Sequence, residues 1–250
     1  MDSVGELLAQ ADHLRQEGHY RQAIKLYNAI LQTEPGQRAA LIGKGWALLY
    51  EGDKINSASY DEALGYFQDA LKADEKDVTI LREYANALIK TGAISHWNTA
   101  IQVCDRILRL VPGDVQALTS KASVLYRLGR NEDCIEVCNQ ILELDADTAD
   151  GWRYKGWALY SLDRYEEAIA CFDQALQLDP KLAAVLAFRG LMLMKFGQLE
   201  LALASINRAL ELKPDYATAL CFKIDVLEAM GKHDEAQKAI EDLPPIEYHF

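Results

Sequence analysis

Residues 149–182 read ADGWRYKGWALYSLDRYEEAIACFDQALQLDPKL, and the order of large and small residues in this stretch decides the fold. Trp152, Gly156 and Leu159 are spaced by four and then three residues; Ala168, Phe172 and Ala175 repeat that rhythm, and Pro180 follows. Such intervals bring side chains onto one face of a helix, so the stretch reads as two short helices, each with a single apolar stripe. The small residues in the stripes allow the two helices to approach closely.

The pattern returns along the chain. A large residue, then a small one, then leucine starts at Leu7, Leu41, Leu81, Leu118, Trp152, Leu186 and Leu220, where Ile224 takes the small position. The leucines that close the strings are Leu14, Leu48, Leu88, Leu125, Leu159, Leu193 and Leu227. Gly18, Gly52, Gly92, Gly129, Gly197 and Gly231 follow six of them, as expected for left-handed helix caps, and Asp163 replaces glycine in the remaining copy. The second helices open at Tyr20, Tyr60, Trp97, Tyr165 and Leu199, with Ala23, Ala63, Ala100, Ala168, Ala202 and Ala236 at their close-packing position. Pro35, Pro112, Pro180 and Pro214 end copies between one helix and the next. The copies run over 4–37, 38–77, 78–114, 115–148, 149–182, 183–216 and 217–243, with a tail at 244–250. A fixed period of this length makes the chain an array, expected to form one solenoid over 1–250.

These spacings resemble the tetratricopeptide repeat over nearly the whole chain. The resemblance implies an all-α solenoid of seven helix-turn-helix repeats in a right-handed superhelix, with first helices on the concave side. The groove positions it implies are Trp46, Leu49, Tyr50, Arg82, Asn86, Lys90, Tyr126, Arg127, Arg153, Trp157, Tyr160, Leu191 and Met194. Aromatic residues with interspersed arginine are the composition of protein-recognition hot spots, and the cations suit acidic groups on a partner. One variant of the family grips a carboxylate terminus with a Lys-x3-Asn, an Asn, and a Lys-x3-Arg on successive repeats. Here Arg82 and Asn86 match only the first element, while Ser120, Asp150 and Tyr154 stand where the others belong. Clamping of chaperone tails is therefore disfavoured. Where the family has leucine, this chain has Lys44, Lys121, Lys155, Arg189 and Lys223, read as stems that cover core while their charge reaches solvent.

Composition narrows the function. Half of the residues are hydrophobic, which permits a substantial core, and a net charge of −12 leaves little room for a basic face. Nucleic acid and membrane insertion are poor expectations. Ser3 and Glu6 are spaced as a capping box, so the N-terminus reads as a helix start rather than a secretory signal. Five cysteines, at positions including the core sites Cys104, Cys134 and Cys138, read as reduced thiols in a cytoplasmic protein. Cys134 and Cys138 lie one turn apart, but no second pair stands at metal-finger spacing. Gly43-Lys44-Gly45 lies within a helix and lacks the rest of a phosphate loop. Glu166-Glu167 and Asp234-Glu235 sit at helix starts, where acids favour the dipole.

The expectation is thus a scaffold or adaptor without catalytic residues, metal or cofactor, which holds a peptide or helix of a protein partner in its groove. The alternatives are a self-assembling structural protein and the targeting arm of a larger enzyme. Lengthened turns are expected at 53–59 and 93–99, and the tail stripe of Ile246, Tyr248 and Phe250 is expected to fold back or to dock into a second copy and give a homo-oligomer, with a disordered tail as the alternative.

Overall fold

The computed structural model describes residues 3–51 and 58–241, and the side chains at 58 and 59 are left aside. Gly52, most of the turn at 53–59, and the tail lie outside the described residues. Among those described there are fourteen α-helices and no strand. The chain divides into two compact units, 1–124 and 125–250.

The first unit contains α1 (Val4–Gln16), α2 (Tyr20–Thr33), α3 (Arg38–Glu51), α4 (Ala58–Leu71), α5 (Val78–Lys90), α6 (Ile94–Leu110) and most of α7 (Val115–Arg127). The second holds α8 (Asn131–Leu144), α9 (Ala149–Ser161), α10 (Tyr165–Leu178), α11 (Ala183–Lys195), α12 (Leu199–Leu212), α13 (Ala217–Ala229) and α14 (His233–Glu241). Neighbours in sequence pack together: α1 on α2, α3 on α4 and α5 on α6 in one unit, and α9 on α10, α11 on α12 and α13 on α14 in the other.

Local chemistry sets the boundaries. Ser3 Oγ accepts from the Glu6 amide, and the Glu6 carboxylate accepts from the Ser3 amide, which completes the capping box of α1. Asp77 and Asp114 accept from amides of α5 and α7 in the same way. Gly18, Gly92, Gly129, Gly197 and Gly231 all have positive φ, and so does Asp163 at 58°. An L-residue tolerates that conformation poorly, and aspartate is among the few that adopt it.

The small residues provide room for rings. A Cβ on Gly156 would stand 2.5 Å from the Phe172 ring, and one on Gly45 would stand 2.6 Å from Phe67. Phe67 and Phe172 are fully buried as a result, and Ala23, Ala63, Ala100, Ala168, Ala202 and Ala236 are buried beside the first helices.

Two expectations need correction. The residues at 93–99 do not lengthen a turn: Ala93 is an extended N-cap, and α6 begins at Ile94 and runs for 17 residues where α4 has 14. The chain reverses over Thr91-Gly92-Ala93, the added residues form the first turn of α6, and Trp97 lies within α6, its indole donating to the Ile89 carbonyl at 3.4 Å. Leu49 is not a groove residue but fully buried, while Leu48 is half-buried. Glycine at 43 and 45 lets α3 settle between Tyr27 of α2 and Phe67 of α4, which carries Leu49 into the core.

Candidate functional site

The residues singled out from the first helices gather into two separate sets, one in each unit. In the first, Tyr50 of α3 stacks on Tyr20 of α2 with centroids 5.5 Å apart, and Trp46 lies 5.9 Å from Tyr50 and edge-on to Phe67 at 5.5 Å. The Trp46 indole donates to Glu83 of α5 at 2.7 Å. Tyr50 is 40% exposed, and Trp46 is half-buried. The Lys90 ammonium stands 5.1 Å from the Tyr50 ring centroid, within cation–π range. Trp46, Tyr50, Thr79 and Glu83, with Asp12 and Arg15 of α1, line an open cavity of about 510 Å³.

The cations singled out in this unit are held by the protein itself. Arg82 donates through Nε at 3.0 Å and through Nη2 to one oxygen of Asp114, whose side chain is 2% exposed. Asn86 accepts from Ser120 Oγ at 3.5 Å. Lys121 pairs with Asp105 at 2.6 Å, and the Lys44 ammonium donates to the Tyr66 hydroxyl. In the second unit Arg189 contacts Asp173 and Ser205. The charges at the Lys44, Lys121 and Arg189 positions therefore bind across to second helices, where solvent had been the expectation.

The second unit carries a run of rings. Tyr126 of α7 stacks on Trp157 of α9 at 5.6 Å and 23°, and Tyr154 meets the same indole edge-on at 5.6 Å. Tyr160 meets Phe188 of α11 at 5.4 Å, and Phe188 meets Phe222 of α13 at 5.4 Å, both near perpendicular. All six rings are half-buried. Arg153 donates to Asp150 at 2.9 Å while its guanidinium lies 4.5 Å from Tyr154 and 4.8 Å from Trp157. Burial raises the Tyr126 hydroxyl pKa above its ordinary value, so it stays protonated and able to donate. Arg127 is exposed, and Met194 packs against the core formed by α11, α12 and α13. Offset and edge-on rings hold one another rigidly, which lowers the entropy lost when a ligand lies across them.

Tyr20, Glu83, Tyr154, Phe188 and Phe222 were not singled out from sequence as site residues. Glu83, Tyr154, Phe188 and Phe222 share one register, two residues after Leu81, Trp152, Leu186 and Leu220. That column is the signal that would have found them.

The thiols are structural. Cys104, Cys134, Cys138 and Cys171 are buried and Cys221 is exposed. Cys134 and Cys138 lie 4.0 Å apart, and this contact, followed by burial, drives the Cys138 pKa upward. Burial pushes Cys104 up to about 12 and raises Cys171 as well. Because the thiolate is the reactive form, a disulfide-exchange reagent should label about one thiol, Cys221, in the native protein and the others only after unfolding. Rapid native labelling of Cys134 or Cys138, read by peptide mass, would overturn this placement.

Sequence models of the tetratricopeptide repeat match residues 8–54, 53–115 and 189–243, residues 115–148, and residues 149–182. Human sperm-associated antigen 1 is 35% identical over 71 residues, a match that takes in 28% of this chain and 7% of that protein. A tetratricopeptide repeat protein from Parabacteroides merdae has a TM-score of 0.73 at 18% identity, over 98% of this chain and 94% of that one. A chain of the APC/C hetero-tetramer Cut9–Hcn1 gives 0.69 at 18%, over 90% of this chain and 43% of that one. A fragment of MamA from Desulfovibrio magneticus gives 0.56 at 20%, over 70% and 97%. At these identities the structural likeness concerns the fold.

Proposed function

Because the chain belongs to the tetratricopeptide-repeat family, we propose that it is a non-catalytic scaffold that binds a peptide or helix of another protein on its first-helix faces. The observation that supports this most is the arrangement of the rings. Trp46 and Tyr50 in one unit, and Tyr126, Trp157, Tyr160 and Phe188 in the other, stay half-buried or exposed while the alanines and leucines beside them form the core. Rigid, partly exposed aromatic side chains beside arginine are what protein-recognition hot spots are made of. A repeat array displays such side chains on successive helices without needing an enclosed pocket. Among the described residues no helix is long and apolar enough to cross a membrane.

Affinity capture from cells tests the reading. The double variant Tyr50→Ala with Tyr160→Ala should lose bound proteins by about tenfold or more, since a hot-spot truncation costs about 2 kcal/mol. Leu201→Ala, an exposed position on the second helix α12, should retain them. Equal capture by all three proteins would refute a first-helix site.

A further inference from the structure

We infer that the cavity between α1, α3 and α5 takes a lysine or arginine side chain of the partner segment, so that the first unit reads basic sequence. The inference rests on the first-helix reading above and makes its ligand specific. It reverses the expectation of an acidic partner for this unit, because the groove cation Arg82 is already paired, Lys90 lies over the Tyr50 ring, and other cations of the unit are paired as well. Arg15 leans on Asp12 at 3.7 Å, Arg38 on Asp77 at 3.1 Å, Arg82 on Asp114 and Lys121 on Asp105.

The carboxylate of Glu83 is balanced differently. Among the described residues it meets no cation within ion-pair distance; its hydrogen bond comes from the neutral Trp46 indole, which leaves a full negative charge on the cavity wall. Asp12 adds a second carboxylate, one oxygen of which accepts from the Tyr27 hydroxyl at 2.6 Å. Among the described residues that line it Arg15 is the one cation, against the carboxylates of Asp12 and Glu83, so this lining keeps a net negative charge. Trp46 supplies a ring face, which attracts cations when desolvated, while the Tyr50 ring beside it is already approached by Lys90 at 5.1 Å. At about 510 Å³ the space admits a long side chain with its ammonium or guanidinium toward Glu83. A net charge of −12 also draws basic segments toward the chain at low ionic strength.

Selection of random twelve-residue peptides on the purified chain tests this. The recovered peptides should be enriched in lysine and arginine, and their affinity should fall as salt rises. Glu83→Gln keeps a carbonyl to accept from Trp46 and so preserves the fold, which a thermal melt confirms. It should weaken the recovered basic peptides about tenfold, the loss of one charge-assisted contact. Peptides rich in aspartate and glutamate that lose affinity in Tyr50→Ala would overturn this inference and leave the first-helix reading standing. Undiminished basic-peptide affinity in Glu83→Gln would also overturn it. Peptides that bind wild type, Tyr50→Ala and Glu83→Gln alike would overturn both.

Discussion

Phe172→Ala will destabilise the second unit by about 3–5 kcal/mol, the largest effect expected of any single substitution in that unit. The ring is fully buried, in a cluster with Leu159, Ala168, Cys171, Val185 and Met192. It occupies the space that glycine opens at 156, where a Cβ would stand 2.5 Å from its edge. Alanine would therefore leave a ring-sized hole facing a residue with no side chain to relax into it. The loss is the transfer free energy of the ring plus the cavity left behind. Urea unfolding followed by circular dichroism should show an early transition, because a repeat array loses stability where the weakened pair lies. A loss below about 1 kcal/mol would mean that Gly156 and Phe172 do not interlock as described.

Asp114→Ala will cost the first unit about 3 kcal/mol, because one buried carboxylate performs two tasks. Its Oδ1 accepts from the Ala117 amide at 2.9 Å and caps α7, while its Oδ2 receives both Arg82 donors. Removing the carboxylate strips a helix N-terminus of its cap, worth about 1 kcal/mol, and leaves a partly buried guanidinium without its acceptor. Asp114→Asn separates the two. The amide oxygen retains the cap, so the loss should be smaller and should match that of Arg82→Met, which removes the same ion pair from the other side. If Arg82→Met leaves stability unchanged and weakens ligand binding, Arg82 is a ligand contact rather than a structural one.

The helices were legible in the sequence because their determinants are local. A glycine after six of the seven leucine stripes, small residues opposite the buried rings and a Ser3–Glu6 box act within a turn or a helix pair, and spacing reveals them. Side-chain commitments are not local. Arg82 meets Asp114 across 32 positions and Lys121 meets Asp105 across 16, so an arginine that looked open to a ligand is held by its own fold. Leu49 was misassigned for a related reason: its burial follows from Gly43 and Gly45 drawing α3 inward, an effect that the register alone does not express. The added turn of α6 had the weak helix signals of Ile94-Ser95-His96-Trp97, and packing of Trp97 against α5 overrides them. The ring column of Tyr154, Phe188 and Phe222 was readable, and its change to Glu83 in the first unit distinguishes the chemistry of the two first-helix faces.

The central claim, that a protein partner lies on the first helices, is tested most directly by site-resolved photo-crosslinking in cells. A benzophenone amino acid would replace Tyr50 or Tyr160 on the first helices, or Ile94 or Leu201 at exposed positions on second helices. The account predicts discrete cross-linked species, the same partner recurring between repeats of the experiment, from positions 50 and 160 and none above background from 94 and 201. Cross-links confined to positions 94 and 201 would place the partner on the second helices and contradict it.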